Sequence, residues 1–277
     1  MKQKAIIRQF WLKALFFLVG SALWTTAATA TPLTICVEDR FWPPGSFFVE
    51  GQPVGTHVAI IEQAIKTLPY SVNFIAMPWN RCLTAVEHGD VDAIMSASYI
   101  EDRNRFLKYP AEATSTLPHP SSLGTVDFVA VANIETDLNG IDNGALPPQP
   151  IGIPIGYITI DIYRQRGAQV VGIANYNKLF ELLRRGRVKS LILSGALADI
   201  YIKHGNHQKT FKTKSLPGRS GPLYLGFSRK SPLSSEQISE IWQSIAHVRS
   251  DKIQMQKIND KAQKEAYICL QDNQTCE

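Results

Sequence analysis

Gly89-Asp90-Val91-Asp92-Ala93-Ile94-Met95-Ser96-Ala97-Ser98-Tyr99-Ile100-Glu101-Asp102-Arg103 is the stretch on which the fold turns. Its apolar part, Val91 to Met95, reads as a strand covered on both faces, and Gly89 marks the end of a preceding helix. Two hydroxyls, Ser96 and Ser98, follow at the carboxyl end of that strand, and a turn then brings Arg103 near the same end. Open α/β sheets bind their ligands at the carboxyl ends of strands. A guanidinium there can grip a carboxylate with two parallel hydrogen bonds while hydroxyls and backbone N–H groups complete the shell. The competing reading makes Arg103 a surface ion-pair partner of Glu101 or Asp102, and the stretch alone leaves both open.

Upstream, the pattern alternates. Leu33 to Val37 reads as a buried strand, and the loop Phe41-Trp42-Pro43-Pro44-Gly45 is kept irregular by its two prolines. Thr56 is placed to cap a helix with Val58, Ile61, Ala64, Ile65 and Leu68 on one face. Val72 to Ile75 is a second strand, Asn80 to His88 a helix, and Val91 to Met95 a third strand. A β-α-β-α-β order predicts a parallel sheet covered by helices.

A second unit follows the same plan. Pro150 to Pro154 and Val170 to Ile173 read as strands around a helix from Thr159 to Arg166; Asn177 to Arg185 is helical, and Val188 to Leu193 is a strand. Trp79-Asn80-Arg81-Cys82-Leu83 aligns with Tyr176-Asn177-Lys178-Leu179-Phe180 at an offset of 97, with Gly89 against Gly186. Around this unit lie two irregular passages, Leu117 to Gly124 and Lys212 to Pro222, the first leading into a strand over Val126 to Ala132. They predict a chain that crosses twice between two lobes. The end is helical: Ser234 and Gln237 form a capping-box pattern, a second helix spans Asp251 to Ala266, and both are expected to pack back on the first lobe.

At the start, Lys2, Lys4, Arg8 and Lys13 precede an apolar run from Ala14 to Trp24 and an Ala28-Thr29-Ala30 exit. That is the build of a cleavable secretory signal over residues 1–30, and the run is shorter than the roughly 20 residues of a membrane span. No Cys follows it to carry a lipid anchor. The full chain is +5, and four of those charges sit in residues 1–30, leaving +1. The basic balance thus gives no argument for a nucleic acid partner. Four cysteines suit an oxidising compartment, and the localisation expected is the periplasm. Cys269 and Cys276 bracket a polar tail whose closure would contribute roughly 2.5 kcal/mol on the chain-entropy model. Cys36 and Cys82 are read either as a second bridge or as buried thiols, because four cysteines allow three connectivities.

Catalytic patterns are missing. There is no Gly-x-Ser-x-Gly, no His-Glu-x-x-His and no Gly-rich phosphate loop, and His204 and His207 read as a solvated loop rather than a metal site. No cofactor, no metal and no catalytic residue is expected.

Asp39-Arg40-Phe41-Trp42-Pro43-Pro44, Gly55, Pro78-Trp79-Asn80-Arg81, Gly89 to Ile94 and Glu101-Asp102-Arg103, taken in order, resemble the family 3 extracellular solute-binding proteins, the periplasmic receptors of polar amino-acid ABC transporters. The resemblance implies an α/β, two-lobed periplasmic binding protein fold. Each lobe would be a mainly parallel sheet flanked by helices, joined by a two-stranded hinge and closing on a small ligand. It implies lobe 1 from residues 31–120 and 223–277 and lobe 2 from residues 121–222. By position, Arg103 would be the carboxylate clamp, with Ser96 and Ser98 helping; Trp42 an aromatic wall; Asp39 a side-chain reader; and Trp79 a cleft-lining residue. In lobe 2, Gly156-Tyr157-Ile158-Thr159 matches a ligand-facing helix N-terminus.

Departures set the expected ligand. Ser194 stands where amino-acid binders carry the Asp that holds the ammonium group, Lys189 replaces a usual acid, and Ala59 stands where an Asp is usual. An unpartnered ammonium in a desolvated cleft costs several kcal/mol, so ordinary α-amino acids are expected to bind poorly, and the expected solute is small and polar and bears a carboxylate or, alternatively, an uncharged amine. The chain is expected to be a monomer serving an inner-membrane ABC permease or, alternatively, a membrane sensor. A dehydratase on the same scaffold is the enzyme alternative and would need an acid in the cleft, with Asp39 and Glu38 the nearby candidates.

Overall fold

A computed structural model describes residues 30–115, 119–155 and 157–271. The expected export signal, except its last residue, lies outside the described residues, as do Gly156 and Cys276. Among the described residues no helix is long and apolar enough to cross a membrane.

The first β-α-β-α-β unit forms as expected from its apolar periodicity. Strand β1 (Thr31–Glu38) is followed by a short hairpin, β2 (Phe47–Val49) and β3 (Gln52–Val54), within a stretch that carries no strand pattern of its own. Helix α1 (Thr56–Ile65) buries Val58, Ile60, Ile61, Ala64 and Ile65. Thr56 does not cap it: Gly55 holds the N-cap position at φ +119, and the Thr56 hydroxyl instead donates to the Pro44 carbonyl at 3.1 Å. Strand β4 (Tyr70–Met77), helix α2 (Trp79–His88) and strand β5 (Ala93–Ser98) complete the unit. Gly89 ends α2 in the left-handed region at φ +83, where a Cβ is strained. A one-turn helix α3 (Glu101–Asn104) and the two-residue β6 (Leu107–Lys108) follow.

The second unit comprises β7 (Gly124–Asn133), β8 (Ile151–Pro154), α4 (Thr159–Gln165), β9 (Val170–Ile173), α5 (Tyr176–Arg184), β10 (Ser190–Ser194) and α6 (Gly195–His204). Then come β11 (Phe211–Ser228), α7 (Ser235–Ser250) and α8 (Lys252–Gln271). The capping box expected at Ser234 and Gln237 is present with both hydrogen bonds.

Eight strands pair in the order β4-β1-β5-β11-β7-β10-β8-β9, and β6 adds to β11. At one end β4, β1 and β5 run parallel; at the other β10, β8 and β9 do. Two long strands, β7 and β11, run antiparallel between these ends and join them. The sheet is therefore continuous, and the stretch Lys212 to Pro222 belongs to an 18-residue strand rather than to an irregular passage. Ladder bonds to β7 outweigh its Gly, Ser and Pro content, and a register shift between Ser215 and Ser220 takes up the mismatch.

The core is divided in the same way. Helices α1, α7 and α8 pack with β1 and β5 in one apolar cluster, and Cys36, Trp79, Cys82 and Ile94 centre another on the opposite sheet face. Two further clusters, one around Leu179, Leu191 and Phe211 and one around Ile151, Tyr163 and Ile192, fill the second unit. Cys36 and Cys82, both fully buried, form a disulfide that ties β1 to α2. Cys269 is also disulfide-bonded; Cys276, its expected partner, is outside the described residues.

Candidate functional site

A crevice of about 70 Å³ lies between the two parallel ends of the sheet and draws its walls from both. Among the described residues lining it, Arg103 is the one base and Glu38 the one acid. Seven of the expected site residues line it: Trp42, Trp79, Ser96, Ser98, Arg103, Tyr157 and Ser194.

Arg103 follows β5 on the short helix α3, and its side chain turns inward, 7% exposed. The two acids that would hold it at the surface are engaged elsewhere. Asp102 faces Arg105 at 3.5 Å, and Glu101 accepts from the Tyr99 hydroxyl at 2.8 Å. Arg103 Nη1 donates to the Ser98 carbonyl at 3.2 Å, and its guanidinium carbon lies 5.2 Å from the Trp79 ring centroid. The Tyr109 hydroxyl donates to the same Ser98 carbonyl at 3.0 Å. Burial pulls the Arg103 pKa down, yet a guanidinium stays protonated in water. Among the described ion pairs none involves Arg103, so a buried cation stands without a counter-ion.

Trp79 opens α2, and its Nε1, buried, has no hydrogen-bond partner. Trp42 is held by a bridge with Ser46, N to O at 2.9 and 3.0 Å in the two directions. Gly45 lies against the Trp42 ring so closely that a Cβ there would come within 2.5 Å of it. Trp42 also meets His57 edge to face at 5.4 Å. His57 Nδ1 shares a hydrogen bond of 2.8 Å with Ser96 Oγ, and Ser96 holds a left-handed φ of +63. Burial, with Arg249 nearby, lowers the His57 pKa to about 3, so the ring is neutral at ordinary pH.

Three expected residues fall elsewhere or cannot be placed. Asp39 is exposed and does not line the crevice; Glu38, one residue earlier, is 9% exposed and does. Strand β1 is buried on both faces, so no alternation of apolar and polar residues fixes which side chain points inward at its end. Thr159, the first residue of α4, is 2% exposed, lies off the crevice wall, and its hydroxyl has no partner. Gly156 is outside the described residues. Ser194 does face the crevice, but its hydroxyl already accepts from Leu197 N at 3.4 Å as the cap of α6.

Glu38 and Tyr176 are the additions. Tyr157 OH donates to Glu38 Oε2 at 3.3 Å and meets Tyr176 OH at 2.7 Å. Arg40 Nη2 lies 2.8 Å from Glu38 Oε1, without hydrogen-bond alignment. Burial raises the Glu38 pKa against the opposing pull of Arg40. Tyr176 was legible: it sits 97 residues after Trp79, each opens a helix of its unit, and both line the crevice.

Residues 33–116 match the model for bacterial extracellular solute-binding proteins, family 3. No curated protein is similar enough in sequence to match. Among solved structures, an amino-acid ABC transporter substrate-binding protein of Streptococcus pneumoniae, bound to L-arginine, is 13% identical with a TM-score of 0.67, over 85% of this chain and 96% of that one. A histidine kinase sensor domain with similarity to periplasmic binding proteins is 17% identical, also at 0.67, over 84% and 96%. An ancestral amino-acid-binding protein, a precursor of cyclohexadienyl dehydratase, is 15% identical at 0.64, over 83% and 94%. The fold is that of the two-lobed periplasmic binding proteins.

Proposed function

We propose that this chain is an extracytoplasmic solute-binding protein that takes a small, carboxylate-bearing solute into the crevice between its lobes and delivers it to an ABC-type permease. Lobe 1 comprises residues 31–120 and 223–277, and lobe 2 residues 121–222; residues 1–30 are the signal that exports the chain to the periplasm, where it acts as a monomer. The observation that carries this reading is Arg103: a buried guanidinium lining the crevice with no acid among the described residues to neutralise it. Leaving such a charge unpaired costs several kcal/mol, which an anionic guest offsets. Trp79 Nε1, without an acceptor, and the Ser98 hydroxyl supply further donors on the same wall, beside Ser96, whose hydroxyl is shared with His57 Nδ1.

The match of residues 33–116 to a solute-binding family supports the binding role. The likeness to a histidine kinase sensor domain favours a second reading, in which the loaded protein signals to a membrane sensor instead of feeding a transporter. The dehydratase reading is weaker, because the single acid among the described crevice residues is held against Arg40. A thermal-shift screen of carboxylates, amino acids and amines tests the proposal: carboxylates should raise the melting temperature, since a ligand that binds only the folded form stabilises it. A response confined to amines would refute it.

A further inference from the structure

Glu38 is the one acid among the described residues of the crevice, and a cation from the protein itself already faces it. Arg40 Nη2 lies 2.8 Å from its Oε1. The same guanidinium donates to the Ile155 carbonyl at 2.8 Å and to the Ala174 carbonyl at 3.4 Å, and lies 5.6 Å from the Tyr157 ring centroid. Ile155 follows β8 and Ala174 follows β9, so Arg40 reaches from the end of β1 to the opposite end of the sheet. A carboxylate with a fixed guanidinium partner has little attraction left for a second cation, and an ammonium group would have to dislodge Arg40 from two carbonyls as well.

We propose that Arg40 sets the specificity of the crevice: by neutralising Glu38 from within, it leaves Arg103 as the one uncompensated charge among the described lining residues and selects acids that carry no ammonium group. This rests on the reading of the crevice as a carboxylate site. Removing the Arg40 charge exposes Glu38 and admits amine-bearing acids.

The test is calorimetric titration with pairs differing only in the α-amino group: glutarate and L-glutamate, succinate and L-aspartate, hydrocinnamate and L-phenylalanine. The wild type should prefer the member without the amine by about tenfold or more. Arg40→Met should narrow or invert that ratio, and adding Glu38→Gln to it should abolish the gain for the amino form. If Arg40→Met does not fold, Arg40→Gln and Arg40→Lys replace it. The neutral variant should shift the ratio and the charged one should keep it. Acids that bind with the same ratio in wild type and neutral variants overturn the role of Arg40 and leave the acid reading standing, as does a wild type that prefers the amino forms. Failure of every acid to bind the wild type overturns both.

Discussion

The Arg103 guanidinium carbon lies 5.2 Å from the centre of the Trp79 ring, and that aromatic face, with the Ser98 carbonyl, stands in for a counter-ion. Such a contact is worth about 0.5–2 kcal/mol, less than the cost of burying an unpaired charge. The ligand-free protein therefore carries a local excess of free energy at this point. Replacing Arg103 with Met removes the charge and keeps much of the stem's packing. The ligand-free variant should melt at or above the wild-type temperature while losing affinity for acids; a lower melting temperature with binding retained would contradict the assignment.

The Cys36–Cys82 bridge closes a loop with a sequence separation of 46 and is fully buried. On the chain-entropy model a loop of that size contributes about 4 kcal/mol. Replacing both cysteines with Ala should lower the denaturation midpoint accordingly, and reductant should do the same to the unfolded wild type on refolding. An unchanged midpoint would show that the bridge is dispensable.

Burial holds His57 at a pKa of about 3, against 6.5 for the free side chain. Below about pH 6.5 the unfolded chain takes up a proton that the folded chain refuses. The stability tied to neutral His57 is thus complete above that pH and is lost as the pH falls towards 3, by at most about 1.4 kcal/mol per pH unit. Glu38, with its pKa raised by burial, acts in the opposite sense, because acid relieves a buried carboxylate. Comparison with His57→Gln isolates the imidazole. Between about pH 7 and pH 5 the wild type should lose more stability than the variant; equal losses would rule out a buried neutral His57.

Gly124 begins β7 against His57, where an added Cβ would lie 2.7 Å from Nε2. Because His57 backs both Trp42 and Ser96, Gly124→Ala should push on the crevice wall from behind. Overpacking of this kind costs about 1–3 kcal/mol. Thermal melts should show that loss, and a variant as stable as the wild type would mean the imidazole has room to move.

Much of this architecture was legible because its strands and helices carry clear apolar periodicity: the stretch from Gly89 to Arg103 gave a buried strand with two hydroxyls at its end, while leaving open whether Arg103 turns inward or pairs at the surface. Other parts were not. The β2–β3 hairpin has three-residue strands, too short to show a period. Strand β11 contains the Gly, Ser and Pro of a loop and is ordered by its long pairing with β7, which is a tertiary fact. At the end of β1 the sequence points to Asp39 while Glu38 lines the crevice, since a strand buried on both faces offers no phase. The Arg40 contacts with Ile155 and Ala174 join residues more than a hundred positions apart, and no local pattern announces them.

The central claim is that Arg103 receives the anionic group of a solute, and titration calorimetry of small carboxylates into the wild type and Arg103→Met tests it most directly. The account predicts saturable binding of at least one carboxylate to the wild type and a loss of about hundredfold or more in the variant. A carboxylate that binds both proteins with equal affinity would contradict it.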